Sequence, residues 1–318
     1  VMAVFTKLNK EEIESFLNIY DIGKLEAYNE ILEGIENTNY KIICNGEPYI
    51  LTIFEKRVKE EDLPFFISLK LYLSSNNFRC PEPIRNKENK IINSIKNKKA
   101  IIISFIQGDI IKLPNIKECN QVGKIVGDLH ILTKNFDQRK GNDLDINEWK
   151  KLINKSEDKN NTKFNLIFSD LKKEINFLEK SWPEDLPSGV IHADLFKDNI
   201  FFREEKITGV IDFYFSCYHF FLYDICIVIN DWCFQDTGQI FNYEFYKAII
   251  DGYYSRRRLT NDELNAFNIL LRAAAVRILV TRLHDYIFHE DDALVVKKDP
   301  NEYYNILKWH QKNKSIKL

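Results

Sequence analysis

The sequence predicts an α+β fold in two lobes, a small β-rich N-terminal lobe and a larger, mainly helical C-terminal lobe. Three observations support this prediction. Strand-like segments and a hairpin signal dominate the residues before Gly108, helical periodicity dominates after it, and one strand-rich segment, Gly189–Asp212, interrupts the helices. The chain of 318 residues is long enough for more than one compact region. We place the two lobes at residues 1–105 and 106–318.

The predicted N-terminal lobe begins with a helix and continues with a hairpin. Asn9 followed by Glu12 is a capping-box pattern, which predicts a helix through about Tyr20. The dipeptide Asn45-Gly46 is a strong signal for a two-residue turn between strands. A further helix is expected from Leu63-Pro64, because proline is favoured in a first helical turn. The predicted strands are Tyr40–Cys44, Tyr49–Phe54, Lys90–Asn93 and Ala100–Ile106.

The predicted C-terminal lobe is built from helices. Thr260 with Glu263 forms a second capping-box pattern in front of the longest of them. The stretch Asn154–Phe164 is polar, charged and weakly periodic, so we interpret it as an exposed loop or a frayed helix end. The predicted helices are Cys119–Asn135, Phe168–Lys180, Tyr243–Tyr254 and Asn261–Phe288.

Composition narrows the class of protein. Lys and Arg number 45 and Asp and Glu 47, a net charge of −2, which argues against a generally basic nucleic-acid-binding protein. The six cysteines include no C-x-x-C pair, so a zinc site is not expected, and a chain of this length can bury its own core without a disulfide framework. The first residues lack a signal-peptide pattern, and continuous apolar runs such as Ala100–Ile103 are too short to cross a membrane. We therefore expect a cytoplasmic protein without nucleic-acid or membrane partners.

The segment Val190–Phe202 carries the most chemical information. Its polar residues lie on a short loop between two apolar segments, and Asp212 ends the next apolar strand. Phosphoryl transfer needs a carboxylate to accept the proton of the attacking hydroxyl, and hard oxygen ligands for Mg²⁺. Asp194 fits the base, and Asn199 with Asp212 fits the metal ligands. Each residue alone could be a turn former, but the ordered set H-x-D-x-x-x-x-N followed by apolar-apolar-Asp favours the chemical interpretation.

This ordered pattern is similar to the catalytic loop of the aminoglycoside phosphotransferase and choline kinase superfamily, whose members are relatives of protein kinases. More narrowly, the chain resembles the kinase-like bacterial homoserine kinases from end to end. The stretches that carry the narrower resemblance are Met2–Thr6, Gly34–Tyr40, Tyr49–Arg57, Val228–Cys233 and Leu270–Arg277.

The resemblance implies a two-lobed protein-kinase-like fold and the conversion of ATP and L-homoserine to ADP and O-phospho-L-homoserine, a step on the route to threonine. It implies ATP and Mg²⁺ as cofactors, Asp194 as catalytic base, and Asn199 and Asp212 as Mg²⁺ ligands. His192 and Asp224 are expected to support the catalytic loop rather than to react. We expect a monomer or a homodimer.

The nucleotide site departs from the protein-kinase pattern. Thr52 stands where protein kinases carry a phosphate-binding lysine, so Mg²⁺, backbone amides or another cation must balance the phosphate charge. The phosphate loop has the single glycine Gly34 in place of G-x-G-x-x-G. The expected hinge, Ser104–Gly108, would offer backbone groups to adenine. The residues expected to contact the nucleotide are Gly34, Asn37, Thr38, Asn39, Thr52, Ser104 and Ile106.

Homoserine carries a carboxylate and an ammonium group, so its site needs a cation and an acid. Arg277 and Arg282, on the long C-terminal helix, are the candidate cations, and Asp231 is the candidate acid. For each of the three, a salt bridge or a helix-capping role remains an equally valid interpretation.

Two classes of alternative stay open at this point. The first is a kinase of the same fold that acts on choline, methylthioribose or an aminoglycoside. The second is a catalytically inactive kinase-fold binding protein, which the missing strand lysine favours. Inactive members usually lose a base or metal ligand, whereas Asp194, Asn199 and Asp212 are all present here.

Overall fold

A computed structural model describes residues 6–32, 37–55, 58–159, 162–288, 298–314 and 316. The chain divides into two compact units. One contains the residues up to Gly108 together with Thr208–Tyr214, and the other contains Asp109–Ile207, residues 215–288 and the C-terminal residues from 298. The two units are described separately below.

The first unit is built on one antiparallel sheet. Its strands are β1 (Leu25–Ile31), β2 (Asn37–Cys44), β3 (Glu47–Phe54), β4 (Asn93–Ile95) and β5 (Lys98–Ser104). Their spatial order is β1-β2-β3-β5-β4. The unit also contains the helices α1 (Lys10–Leu17) and α2 (Leu63–Ser75), the latter preceded by a single 3₁₀ turn at Glu60–Asp62.

Each of the two helices contributes to a different apolar cluster on the sheet. Ile13 of α1 belongs to the cluster that contains Ile53 of β3. Leu63 of α2 belongs to the cluster that contains the next strand residue, Phe54. Because successive side chains of a strand point to opposite faces, β3 is buried from both sides.

Two predictions for this unit are confirmed and two boundaries are corrected. Asn9 and Glu12 form the reciprocal capping box, although α1 ends at Leu17 rather than near Tyr20. Asn45 and Gly46 have φ angles of 48° and 79° and form the two-residue turn between β2 and β3. The strand predicted at Lys90–Asn93 was placed too early, since β4 begins at its last residue and is set by pairing with β5.

The rest of the chain is mainly helical. Its helices are α3 (Ile116–Thr133), α4 (Ile146–Glu157), α5 (Asn165–Lys180), α6 (Phe221–Trp232), α7 (Tyr243–Tyr254), α8 (Asn261–Phe288) and α9 (Pro300–Lys312). Its short strands are β6 (Asp109–Ile110), β7 (Ser188–Ile191), β8 (Ile200–Arg203), β9 (Lys206–Val210), β10 (Cys217–Phe220), β11 (Phe234–Gln235) and β12 (Ile240–Phe241). Of these, β9 crosses the boundary, since its residues from Thr208 onward belong to the first unit. The pairs β7–β10, β6–β8 and β11–β12 are antiparallel.

Helices α3 and α7 approach each other closely at two glycines. A Cβ atom on Gly123 would lie 1.9 Å from the carbonyl oxygen of Ile249, and one on Gly252 would lie 2.0 Å from that of Asn120. Both distances are shorter than any non-bonded contact between these atoms. The crossing of α3 and α7 therefore requires glycine at both positions.

Helix α8 has the predicted bounds and the predicted cap. Thr260 Oγ1 accepts the backbone N–H of Glu263 at 3.2 Å, and the Glu263 carboxylate accepts the backbone N–H of Thr260 at 2.9 Å. By length and apolar composition α8 could cross a membrane, although arginines divide its apolar residues into short runs. However, 72% of the most apolar 18-residue stretch of α8 is buried inside the protein, as expected for the central helix of a helical core.

Three helices were not predicted, namely α4, α6 and α9. Of the two interpretations of Asn154–Phe164, a helix end rather than a loop describes its first four residues, because α4 continues to Glu157. Asp145 caps α4 by accepting the N–H of Glu148, and Trp149 and Ile153 are buried one turn apart. That spacing is a helical one, but the high charge of the surrounding residues hid it.

The six cysteines are separate buried thiols, and all of them lie among the described residues. Burial raises the pKa of the Cys80 and Cys119 thiols to about 12. These two thiols are therefore protonated and poorly nucleophilic at neutral pH.

Candidate active site

The candidate site is a loop between β7 and β8. Val190 and Ile191 before the loop and Ile200 after it are buried, so both ends of the loop are anchored in the core. A single 3₁₀ turn, Lys197–Asn199, leads into β8. Asp194 lies on the part of the loop between these anchors. The apolar residues of this segment are thus its buried ends, and the polar residues between them form the loop.

Asp194 and Asn199 are in direct contact. The Asn199 amide nitrogen donates to the Asp194 carboxylate Oδ2 at 3.1 Å and to the Asp194 backbone oxygen at 2.7 Å. Because the nitrogen makes both bonds, the amide oxygen of Asn199 is the atom that remains suited to a cation. The structure therefore brings the predicted base and one predicted metal ligand together.

Asp224 anchors the start of the loop from α6. Its carboxylate is fully buried and accepts the backbone N–H groups of His192 at 3.0 Å and Ala193 at 2.8 Å. The His130 ring nitrogen Nε2 lies 3.2 Å from the same carboxylate. Burial raises the pKa of Asp224, but the hydrogen bonds from His130 and from the backbone N–H of His192 outweigh it and leave the pKa below its usual value. The carboxylate is therefore ionised and fully hydrogen-bonded.

His192 is buried and acts on the loop through a hydrogen bond. Its Nδ1 lies 3.2 Å from the backbone nitrogen of Asp194, whose N–H it accepts. Ala193, between the two, has a φ of 63°, in the left-handed region that alanine rarely adopts. The backbone around this strained residue is thus held by hydrogen bonds. Asp224 accepts the N–H groups of His192 and Ala193, and His192 accepts the N–H of Asp194.

The candidate substrate cations are already engaged. Arg277 of α8 donates to the carbonyl oxygen of Ala193, and its Nη2 lies 3.4 Å from Asp194 Oδ1. Arg282 pairs with Glu302 of α9, and its guanidinium lies 4.4 Å from the centre of the Tyr303 ring.

The candidate substrate acid, Asp231, also contacts the loop. Its Oδ2 accepts the backbone N–H of Lys197 at 2.8 Å, and the Lys197 ammonium lies 3.8 Å from the same oxygen. Burial raises the pKa of Asp231, and the charge of Lys197 opposes that rise. The next residue, Trp232, donates its ring N–H to the Leu195 carbonyl at 3.2 Å.

The second predicted metal ligand, Asp212, lies in the sheet-bearing unit. It follows β9 and has a φ of 63°. The segment around it is tied to that unit, since the Val210 N–H donates to the Arg79 carbonyl at 2.8 Å. Two residues after Asp212, the Tyr214 hydroxyl accepts a hydrogen bond of 3.0 Å from the buried ammonium of Lys70.

The predicted nucleotide residues of β2 and β3 form two hydrogen-bonded groups. The Thr52 hydroxyl donates to Asn39 Oδ1 at 2.8 Å. The Thr38 hydroxyl donates to the Glu55 carboxylate at 2.8 Å, and the Lys98 ammonium pairs with the same carboxylate. Asn37 Oδ1 accepts the backbone N–H of Glu55 at 3.4 Å. Sequence reasoning missed Glu55 and Lys98, because a strand pairing joins residues that are far apart in the chain.

The other three residues predicted to contact the nucleotide are Gly34, Ser104 and Ile106. Gly34 lies outside the described residues. The Ser104 hydroxyl accepts the N–H of Glu82 at 2.9 Å. A Cβ atom on Gly209 would lie 2.8 Å from Ile106 Cγ2, so Ile106 packs directly against β9.

The chain is similar to known proteins in sequence and in fold. A protein-family profile described as the phosphotransferase enzyme family matches residues 27–259. The homoserine kinase of Agrobacterium fabrum (strain C58) is 40% identical over 310 residues, 98% of this chain and 96% of that protein. The homoserine kinase of Brucella melitensis biotype 2 is 39% identical over 316 residues, 99% of this chain and 96% of that protein.

Among solved structures, an amicoumacin kinase in complex with AMP-PNP, Ca²⁺ and amicoumacin superimposes with a TM-score of 0.69 at 16% identity. The match covers 96% of this chain and 93% of that one. This likeness confirms the predicted kinase-like α+β fold. Together with the family match and the near full-length relatives, it confirms the resemblance inferred from the catalytic motif. The chain belongs to the phosphotransferase enzyme family, with homoserine kinases as near full-length relatives.

Proposed function

We propose that this protein transfers the γ-phosphoryl group of ATP to the side-chain hydroxyl of L-homoserine, in the cytoplasm, as a step of threonine biosynthesis. The observation that carries the reaction class is the contact between Asp194 and Asn199 on a loop held by Asp224. The choice of L-homoserine rests on the identity with curated homoserine kinases over nearly their whole length.

In the proposed reaction, the substrate hydroxyl oxygen bonds to the γ-phosphorus of ATP while the bond from that phosphorus to the β-phosphate oxygen breaks. Asp194 accepts the hydroxyl proton, and the products are O-phospho-L-homoserine and ADP. The bonds that Asn199 and Asp224 make to the loop support this role, because a base contributes most when its position is fixed before reaction.

The donor atoms fit the expected metal. Asn199 would bind Mg²⁺ through its amide oxygen and Asp212 through its carboxylate, both of them the hard oxygen donors that this ion prefers. Bound Mg²⁺ supplies positive charge that balances the nucleotide phosphates. In this proposal, residues 1–105 bind the nucleotide through Gly34, Asn37, Thr38, Asn39, Thr52, Ser104 and Ile106, and residues 106–318 carry the catalytic loop and the acceptor site.

The test is an ADP-release assay with Mg-ATP and, in separate reactions, L-homoserine, choline, methylthioribose and an aminoglycoside. We expect turnover with L-homoserine alone. Turnover with another alcohol would keep the reaction class and overturn the substrate. Tight ATP binding with no turnover on any of the four would favour a binding protein that does not catalyse.

The base is tested separately with Asp194→Ala. We expect kcat to fall by at least roughly 100-fold while the affinity for ATP stays nearly unchanged, because the base acts mainly in the transition state. Asp198→Ala is the matched control, since Asp198 lies on the same loop but is about half exposed and faces Lys298 at 3.4 Å. Near wild-type kcat in Asp194→Ala would remove Asp194 from the mechanism.

A further inference from the structure

Arg277 is a buried arginine directed at the catalytic loop. Its side chain is 3% exposed, and it projects from the middle of α8, a helix distant in sequence from the loop. Its guanidinium lies 5.3 Å from the centre of the Phe215 ring. Burying a guanidinium is costly unless its N–H groups are bonded, so its partners define what it does.

Those partners are the two residues at the centre of the loop. Nη1 donates to the carbonyl oxygen of Ala193, and Nη2 lies 3.4 Å from Asp194 Oδ1. A guanidinium is planar and carries its donors in a fixed fork, so one group holds a backbone oxygen and a carboxylate oxygen in a set relation. Lysine has no such fork.

The two oxygens of the Asp194 carboxylate have different donors. Oδ1 faces Arg277, and Oδ2 accepts from the Asn199 amide at 3.1 Å. Two donors, one on each oxygen, restrict rotation of the carboxylate about the Cβ–Cγ bond. The Asn199 donor comes from the loop itself, whereas Arg277 ties the carboxylate to helix α8.

From this geometry we infer that Arg277 is a positioning residue that holds Asp194 for proton transfer, and is not the ligand of the substrate carboxylate. The inference rests on the proposed function, in which Asp194 is the base. To bind a substrate carboxylate, Arg277 would have to give up its bonds to Ala193 and Asp194. A nearly fully buried side chain is also poorly placed to reach a soluble ligand.

The test compares Arg277→Lys with Arg272→Lys. Both are buried arginines of α8, but Arg272 pairs with Glu174 at 2.6 Å, away from the loop. We expect Arg277→Lys to lower kcat roughly 10- to 100-fold, because small displacements of a catalytic group cost that much. The KM for the acceptor and for ATP should stay within about threefold. Arg272→Lys should lower the Tm but leave kcat near wild type.

Other results would overturn the inference. A large rise in acceptor KM with kcat preserved would make Arg277 a substrate ligand, and unchanged kinetics would deny it any role. Should Arg277→Lys be poorly folded, Arg277→Ala assayed with added guanidinium provides a second route. Recovery of kcat with guanidinium, without a change in acceptor KM, supports positioning, and a recovery confined to KM contradicts it.

A double-mutant comparison separates action through Asp194 from a general effect on structure. In an Asp194→Asn background, Arg277→Lys should lower the small residual rate no further, because the group that it positions is already disabled. A full additional loss in that background would contradict the inference. Failure of the proposed function is distinct, since it would appear as wild-type protein inactive on L-homoserine, and the comparison would then use whichever alcohol the protein phosphorylates.

Discussion

The Asp224 carboxylate accepts the backbone N–H of Ala193 at 2.8 Å, and Ala193 has a φ of 63°. This backbone conformation costs a non-glycine residue about 1–2 kcal/mol. A fully buried carboxylate therefore stabilises a strained residue immediately before the proposed base. Tertiary contacts keep Ala193 in this conformation, and the conformation sets the direction of the chain from β7 into Asp194.

Ala193→Gly is expected to preserve activity, because glycine adopts a positive φ without strain. We expect its Tm to equal or slightly exceed that of the wild type and kcat to stay within about twofold. Ala193→Val, with a branched Cβ at the same φ, should lose roughly 2 kcal/mol of unfolding free energy and most of its activity. Steady-state kinetics and thermal unfolding of the pair check this. Equal behaviour of the glycine and valine variants would show that the backbone at Ala193 is not strained.

Asp224→Asn is expected to damage both stability and catalysis. The two carboxylate oxygens receive two backbone N–H groups and face His130, whereas asparagine would turn an N–H₂ group toward one of these donors. Leaving a buried donor unpaired in this network should cost about 3 kcal/mol, measured by urea unfolding. The exposed Asp251 of α7 provides the control Asp251→Asn, for which we expect no change. Wild-type stability of Asp224→Asn would contradict the anchoring role.

Local signals in the sequence predicted much of the fold and the candidate loop. The capping boxes at Asn9 and Thr260 and the turn at Asn45-Gly46 depend on neighbouring residues, so they could be recognised without tertiary information. Helix α6 was missed because eleven of its residues are buried, which removes the amphipathic pattern that identifies a helix. The bond from Arg277 to Ala193 spans 84 residues, and no local pattern reports it. Long-range contacts of this kind show that Arg277, Arg282 and Asp231, predicted to bind the substrate, are bonded to other residues of the protein.

Lys70→Met is expected to leave the protein as stable or to stabilise it. The Lys70 side chain is buried on α2, and among the described residues its ammonium contacts the hydroxyl and the ring of Tyr214. Replacing a buried charge by an apolar side chain of similar length removes a desolvation penalty, so we expect an increase of up to about 1 kcal/mol in unfolding free energy. Urea unfolding measures it.

Tyr214→Phe is the partner experiment. It keeps the ring but leaves the Lys70 ammonium without the hydroxyl, so we expect it to be less stable than the wild type by about 1 kcal/mol. In the Lys70→Met background the same change should have little effect, because the bond is already lost. A large fall in kcat for Lys70→Met would point instead to a role of this ammonium in phosphate binding.

Stability is expected to fall as the pH drops below about 6.5, the usual pKa of histidine. Burial lowers the pKa of His219 to about 4 and that of His310 to about 3, and it also lowers the pKa of His130. Between pH 6.5 and 4 the unfolded chain therefore binds protons on His219 and His310 that the folded chain does not bind. Each of these two rings should remove roughly 1 kcal/mol of unfolding free energy per pH unit in that window, and none above it.

His219→Phe isolates one of these rings. His219 packs against the Trp182 and Tyr223 rings, so phenylalanine keeps an aromatic ring there and removes the titration. We expect urea unfolding at pH 7.5, 6.5, 5.5 and 4.5 to show that the unfolding free energy of the variant falls less steeply with pH than that of the wild type. The difference in slope should correspond to about one bound proton. The difference between variant and wild type at pH 7.5 measures the packing change alone and serves as the internal reference. If the two proteins lose stability in parallel below pH 6.5, His219 is not held neutral by burial.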